Sequence, residues 1–234
     1  MESSSFPLTL MEAGFKIIPG KESEFFELQN RMVPIGMAQP GFVAVYGGPI
    51  LESDWLYFSV RFANPQQMHD WHQQRGHQAV QRMAYDKFWT AMYIRKWQRP
   101  ESGPQTSDRF LCETRIERDQ PLTDAEAQAL KAKLALLTEF DAKSFETLTN
   151  QYEPQPYQFV GPLEIAPASA PVAYSLVTHW SSSSDASKWQ ESSSYGEIRA
   201  LGNTMTETFI PYTEPEKRQN LRSDRLQRDW TLNS

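Results

Sequence analysis

The sequence predicts an α+β fold made of one unit written twice, each unit an antiparallel sheet with helices on one face. Two observations carry this. Residues 60–77 read VRFANPQQMHDWHQQRGH, and residues 178–195 read THWSSSSDASKWQESSSY. In each, an aromatic closes an apolar strand (Phe62, Trp180) and a tryptophan follows nine residues later (Trp71, Trp189). Six residues further stands a ring bearing a polar atom (His77, Tyr195). Both intervals match without a gap, in a chain with only seven tryptophans, which marks an internal duplication. The second observation is the order of strand-type and helix-type runs, βαββαβ in each half.

In the first half, LTLMEAGFKI (8–17) alternates as a strand, and Pro19-Gly20 ends it. KESEFFELQNRMV (21–33) is a helix, with Phe25, Leu28 and Met32 at spacings of three and four. Pro40-Gly41 turns the chain into a strand, FVAVYGGPI (42–50), and WLYFSVRF (55–62) is the third. Asn64 caps the next helix, with Pro65 at its first position. Gly76 is expected to break that helix, setting 77–88 apart, and AMYIRKW (91–97) closes the unit. In the second half, RFLCETRIE (109–117) is a strand, and LTDAEAQALKAKLALLTEF (122–140) is a helix capped by Thr123 or Asp124. YQFVGPLEI (157–165) and VAYSLVTHW (172–180) are strands, and SDASKWQ (184–190) opens the second helix. TETFIPY (206–212) closes the sheet, where Pro211 suggests an edge position. The organisation is a ferredoxin-like module over 1–98, a Pro/Gly/Ser linker over 99–108, a second ferredoxin-like module over 109–212 and a charged tail over 213–234.

Period-two alternation divides each strand into two faces. Leu56, Phe58, Val60 and Phe62 form an apolar face that packs on the helices, while Trp55, Tyr57, Ser59 and Arg61 form the other. A ferredoxin-like sheet has helices on one side only, so the second face needs a cover. Two such sheets packed face to face supply it, giving an intrachain pseudo-dimeric α/β barrel with a cavity between the sheets. Aligning Phe62 with Trp180 aligns Arg61 with His179. Aligning 11–16 with 112–117 turns Met11, Ala13 and Phe15, and likewise Cys112, Thr114 and Ile116, to the helices. Glu12 and Glu113 then face the inter-sheet space with Arg61 and His179, and Trp55 and Tyr57 form its wall. Two readings stay open. Glu12 with Arg61, and Glu113 with His179 or Arg115, are ion pairs that hold the sheets in register. Alternatively, they are an acid/base set flanking a bound aromatic molecule, with His179 titrating near neutrality beside a carboxylate.

Bulk properties exclude several classes. Net charge is -6 with no basic run, which argues against nucleic acid. No stretch reaches the roughly 18–20 apolar residues of a membrane span. The start, MESSSFPLTLMEAG, lacks the basic and apolar regions of a secretory signal, so a cytoplasmic location is expected. The single cysteine, Cys112, makes no internal disulfide or CxxC site. His69, His72 and His77 lie close together, yet no nearby carboxylate completes a metal set, and no glycine-rich loop offers a phosphate site.

The PGF turn (Pro40 to Phe42) and the Trp-x5-His segment (Trp71 to His77), within this strand-helix-strand pattern, resemble the antibiotic biosynthesis monooxygenase family of the dimeric α/β-barrel superfamily. The resemblance covers most of 8–98 and, in the second half, 172–195. It implies a unit that usually dimerises, here paired within one chain. It also implies oxygenation of electron-rich phenols without metal or flavin, the substrate itself giving electrons to dioxygen. Such a site needs a closed apolar cavity, a base and a donor for the oxygen intermediate. On this basis Glu12, Arg61, His77 and His179 are the expected catalytic residues, and Trp55, Tyr57, Trp71 and Glu113 the expected substrate contacts. Haem-degrading relatives place an iron-binding histidine where Gln81 stands. Sulfur oxygenase reductases need a histidine where Pro65 stands and a cysteine in the first helix. Neither metal is therefore expected, and no cofactor.

The expected function is a cofactor-independent monooxygenase acting on a small aromatic or polyketide-like compound. The alternative is a barrel that only binds a small hydrophobic molecule, or is purely structural. An enzyme should show a closed inter-sheet cavity on the order of several hundred Å³. The first module, richer in aromatics and histidines, is the better candidate for the site. A homodimer through the outer edges stays open.

Overall fold

A computed structural model describes residues 8–100, 107, 109–135, 137, 157–162 and 171–212. The expected charged tail, most of the linker, and the ends of the 122–140 helix and the 157–165 strand lie outside the described residues. The first module runs β1 (Thr9–Ile17), α1 (Glu22–Met37), β2 (Phe42–Pro49), β3 (Trp55–Phe62), α2 (Pro65–His72), α3 (Arg75–Lys87) and β4 (Trp89–Gln98). The second runs β5 (Phe110–Arg118), α4 (Asp124–Leu134), β6 (Tyr157–Val160), β7 (Val172–Trp180), α5 (Ser183–Glu191), α6 (Ser193–Arg199) and β8 (Asn203–Pro211).

The strand order is β2-β3-β1-β4-β8-β5-β7-β6, antiparallel throughout. Each half has the ferredoxin-like order, and two seams join the halves. At one seam Trp97 pairs with Pro211 and Gln98 with Ile210, and Tyr212 N–H donates to the Lys96 carbonyl at 3.0 Å. At the other, Ile50 bridges Val160, flanked by Leu51 N–H to the Phe159 carbonyl and Gly161 N–H to the Pro49 carbonyl, both 2.8 Å. The eight strands thereby close on themselves, which leaves no free sheet edge along these seams.

Local chemistry explains the element ends. Asn64 caps α2 by accepting from Gln67 N–H at 2.9 Å, with Pro65 at the first position. Thr123 and Glu126 form a capping box on α4. Four details depart from the sequence expectation. First, α1 runs through Pro34 to Met37, since a proline near the helix end forfeits one hydrogen bond while its own carbonyl still accepts from Ala38 N–H. The break between α2 and α3 falls at Gln73 and Gln74, where Gln74 is extended, so Gly76 sits inside the first turn of α3. Helix α6 was not foreseen; Ser192 ends α5 in an extended conformation and caps α6 by accepting from Tyr195 N–H. Finally, Pro211 is not at an edge but at the end of β8 where it meets β4.

Three cores result. Phe25, Leu28, Phe58, Phe62 and Met68 pack beneath the helices of the first module. Leu130, Ile116, Leu176, Trp180 and Trp189 do so in the second. Leu10, Trp55, Tyr57, Tyr93, Trp97, Leu111, Val177 and Phe209 fill the space between the sheets. Strand faces therefore follow the period-two reading, with Cys112 buried on the helix side. Among the described residues, no helix is long and apolar enough to cross a membrane.

Candidate functional site

The inter-sheet space brings Glu12, Arg61, Glu113 and His179 together, all but excluded from solvent. Their pairing is crossed between modules. Glu12 of β1 meets His179 of β7 (Oε1 to Nε2, 3.3 Å), and Glu113 of β5 meets Arg61 of β3 (Oε2 to Nη2, 3.2 Å). The sequence reading paired Glu12 with Arg61, and Glu113 with His179 or Arg115, inside each module. Each base instead reaches across the gap to the opposite sheet, the reciprocal arrangement of a twofold interface. Trp97 Nε1–H donates to Glu12 Oε2 at 2.8 Å, and Arg95 Nη1 stands 3.6 Å from Oε1. Arg61 also meets Glu207 at 3.1 Å, and Ser59 O–H donates to Glu113 at 3.0 Å.

These contacts decide the charges. Burial alone would raise the Glu12 carboxyl, but His179, Arg95 and the Trp97 N–H outweigh it and hold the group at about 2. Burial lowers His179 more than Glu12 raises it, so Glu12 is the anion and His179 a neutral imidazole near pH 7. Burial would lower Arg61 too, but Glu113 and Glu207 overcome it and keep the guanidinium charged. Trp55 and Tyr57 stand within this core, and the Tyr57 Oη and Glu113 Oε1 are buried without a hydrogen-bond partner. Gly14 is required by this packing, since a Cβ there would fall 2.1 Å from the Tyr93 ring.

The apolar cavity lies elsewhere, which corrects its expected place. It holds about 120 Å³ on the helix side of the first sheet, well below the expected several hundred. The inter-sheet faces carry large aromatics that interdigitate, whereas beneath the helices several lining side chains are small. Ala13, Val60 and Ile94 form its sheet floor, Met32 and Gly36 line it from α1, and Trp71, His77 and Gln81 from α2 and α3. The Trp71 and His77 rings meet edge to face at 4.0 Å between centroids. His72 stacks on Trp71 at 5.0 Å and stands 5.7 Å from the His77 ring, its Nε2 2.9 Å from the Met11 sulfur. Burial lowers His72 far below its ordinary value, with His77 adding to the effect. Burial alone brings His77 to about 4, so both imidazoles are neutral at pH 7.

Of the eight residues singled out from sequence, Trp71 and His77 line the cavity. The other six, Glu12, Trp55, Tyr57, Arg61, Glu113 and His179, lie between the sheets. Sequence reasoning missed the floor residues Ala13 and Ile94. The period-two reading had placed Ala13 on the helix face, but nothing in the pattern showed that it is too small to fill its share. The cavity is chemically plain: an apolar sleeve with the side chains of Gln29, His77 and Gln81 on its lining. It can hold a flat apolar ring and offer it one neutral imidazole.

No protein-family model matches the chain, and no curated protein matches its sequence. Solved structures share its fold. Aldoxime dehydratase in complex with butyraldoxime is 10% identical with a TM-score of 0.54, the match covering 89% of this chain and 81% of that one. An anthrone oxidase-like protein is 13% identical with a TM-score of 0.37, over 90% and 93% of the two chains. A ferredoxin-fold protein from Listeria monocytogenes, related to antibiotic biosynthesis monooxygenases, is 10% identical with a TM-score of 0.33, over 87% and 96%. The first likeness shows the fold alone. The fold is thus the α/β barrel made by paired ferredoxin-like sheets, closed here within a single chain.

Proposed function

We propose that the chain is a cofactor-free oxygenase, a divergent and duplicated relative of the antibiotic biosynthesis monooxygenases, acting on a single phenolic ring in the helix-side cavity of the first module. The observation that carries this reading is the apolar cavity of about 120 Å³ with His77 Nδ1 buried on its lining and lacking a hydrogen-bond partner. An apolar cavity on the order of 150 Å³ holds benzene. The soft Met11, Met32 and Met92 side chains on the lining can yield to ring substituents.

A phenol O–H donates to His77 Nδ1. The proton moves to the imidazole as the phenolate forms, and the neighbouring negative charge raises the histidine above its empty-site value. The electron-rich ring then reduces dioxygen, forming a carbon–oxygen bond at an unsubstituted ring carbon. The resulting hydroperoxide loses water to leave a quinone. Phenol plus dioxygen gives quinone plus water: the substrate supplies all four electrons, and one oxygen atom is retained. Trp71 packs on the ring and, with the sheet floor, excludes water. The Glu12–His179 and Glu113–Arg61 pairs in this reading hold the two sheets in register.

Oxygen uptake with monocyclic phenols, measured beside binding, tests the proposal. Wild-type protein is expected to consume oxygen, and His77→Phe to lose at least about 100-fold in rate, the usual worth of a positioned base. Binding without oxygen uptake would leave a non-catalytic binding protein, a reading favoured by how far burial depresses His77. An absence of binding would overturn both.

A further inference from the structure

Trp89 opens β4 and lines the same cavity, stacked on Phe15 at 4.6 Å between ring centroids. The residue is 8% exposed, and its indole Nε1 is buried with no hydrogen-bond partner. A buried indole N–H is a donor only, and leaving it unmet costs the fold the desolvation of that group. Indoles in protein interiors usually find an acceptor for this reason. Two residues of the cavity lining therefore each carry an unmet nitrogen, and the two differ in character. His77 Nδ1, in the tautomer with the proton on Nε2, accepts, while Trp89 Nε1–H donates.

We infer that the ligand is a benzene ring with two oxygen functions, a hydroxyl that donates to His77 and an acceptor oxygen (methoxy, carbonyl or second hydroxyl) that takes the Trp89 N–H. The inference rests on the proposed binding of a phenol in this cavity and adds a second recognition point to it. Trp89 is a specificity-determining residue that selects oxygen-substituted phenols over alkylphenols. It takes no part in proton or electron transfer.

The test is calorimetric binding of four ligands of similar shape to the full chain: 4-methoxyphenol, 4-ethylphenol, 4-methylanisole and 4-ethyltoluene. A single neutral hydrogen bond in a dry site is worth about 3- to 10-fold in affinity. 4-Methoxyphenol should therefore bind about 3- to 10-fold tighter than 4-ethylphenol, which keeps the hydroxyl and nearly the same shape. Trp89→Phe keeps a ring on Phe15 and should reduce that ratio to near one, without changing the preference of 4-ethylphenol over 4-ethyltoluene. His77→Phe should do the reverse. Equal affinities of the two phenols for the wild-type protein would overturn the assignment of Trp89 while leaving phenol binding intact. Failure of all four ligands to bind would overturn the cavity reading itself. The wild-type comparison stands even where a variant does not fold.

Discussion

Beneath their helices the two modules carry matching ring pairs on the same register, Trp71 with His77 and Trp189 with Tyr195, yet the first is hollow where described side chains of the second meet in hydrogen bonds. In the second, Tyr195 reaches the sheet and shares hydrogen bonds with Thr114 at 3.0 Å and with Thr206, while Thr114 and Thr206 meet at 3.1 Å. The matching positions in the first module are His77, Ala13 and Ile94, all on the cavity lining. Ala13 pairs with Ile94 across the sheet as Thr114 pairs with Thr206. An imidazole is shorter than a phenol and an alanine smaller than a threonine, so the first module ends up with a gap and an unmet nitrogen. Beside Tyr195 the second module has a surface recess lined by Ser187, Gln190, Glu191 and Arg199. A polar triad thus consolidates one copy, and its absence opens the other.

The largest effect should come from breaking the frame both modules share. Arg61→Leu leaves Glu113 buried beside Glu207 without its cation, and removing one member of a buried pair costs about 3–5 kcal/mol. Urea denaturation should show that loss, and an unchanged midpoint would mean that the crossed pair contributes little. Next, the double change Ala13→Thr, His77→Tyr puts the larger side chains of the second module into the first while keeping Ile94 on the floor. It should crowd the cavity and weaken binding of a small aromatic ring at least about 100-fold, near the worth of burying one ring. Retained binding would place the ligand elsewhere.

The third prediction concerns acid. In the unfolded chain His77 takes a proton below its ordinary 6.5, whereas in the folded chain it does so only near 4. The group leaves stability unchanged above pH 6.5, lowers it as the pH falls from 6.5 towards 4, and withdraws about 3 kcal/mol below that. His72, also buried and neutral, acts in the same direction. Glu12, held at about 2 against an ordinary 4.5, loses its contribution as the pH falls from 4.5 to about 2, mostly below that window. Unfolding midpoints at pH 7, 5.5 and 4 should fall for the wild type and fall less for His77→Phe; parallel curves would show that His77 is not the titrating group. The smallest effects sharpen the contrast between the copies. Tyr195→Phe leaves the buried Thr114 hydroxyl and the half-buried Thr206 hydroxyl with a lost partner and should cost about 1–3 kcal/mol. His77→Phe, which removes no hydrogen bond, should be near neutral at pH 7.

The sequence made the frame legible because strand faces obey a strict period, and because Phe62 and Trp180 pinned the register of β3 and β7 to each other. That register carried Glu12, Arg61, Glu113 and His179 into the inter-sheet space correctly. It could not say who pairs with whom, because the approach of two sheets is set by the side chains between them. Nor could it locate the void. A cavity is a small difference between packed volumes, and here it turns on Ala13 standing where the other copy has Thr114. Helix α6 escaped because a serine run reads as a turn, although Ser192 is the cap that starts it.

The crossed pairs also bear on how such a chain can change over time. In a dimer of identical subunits, every substitution at the twofold seam occurs twice and must suit both contacts at once. Once two copies share one chain, each position is encoded separately, and holding the halves together no longer depends on protein concentration. Arg61 and His179 occupy matching places, yet one is a fixed cation and the other a neutral ring. Separate encoding allows the two contacts to differ, as it allows one module to close its helix side with hydrogen bonds while the other keeps an interior space there.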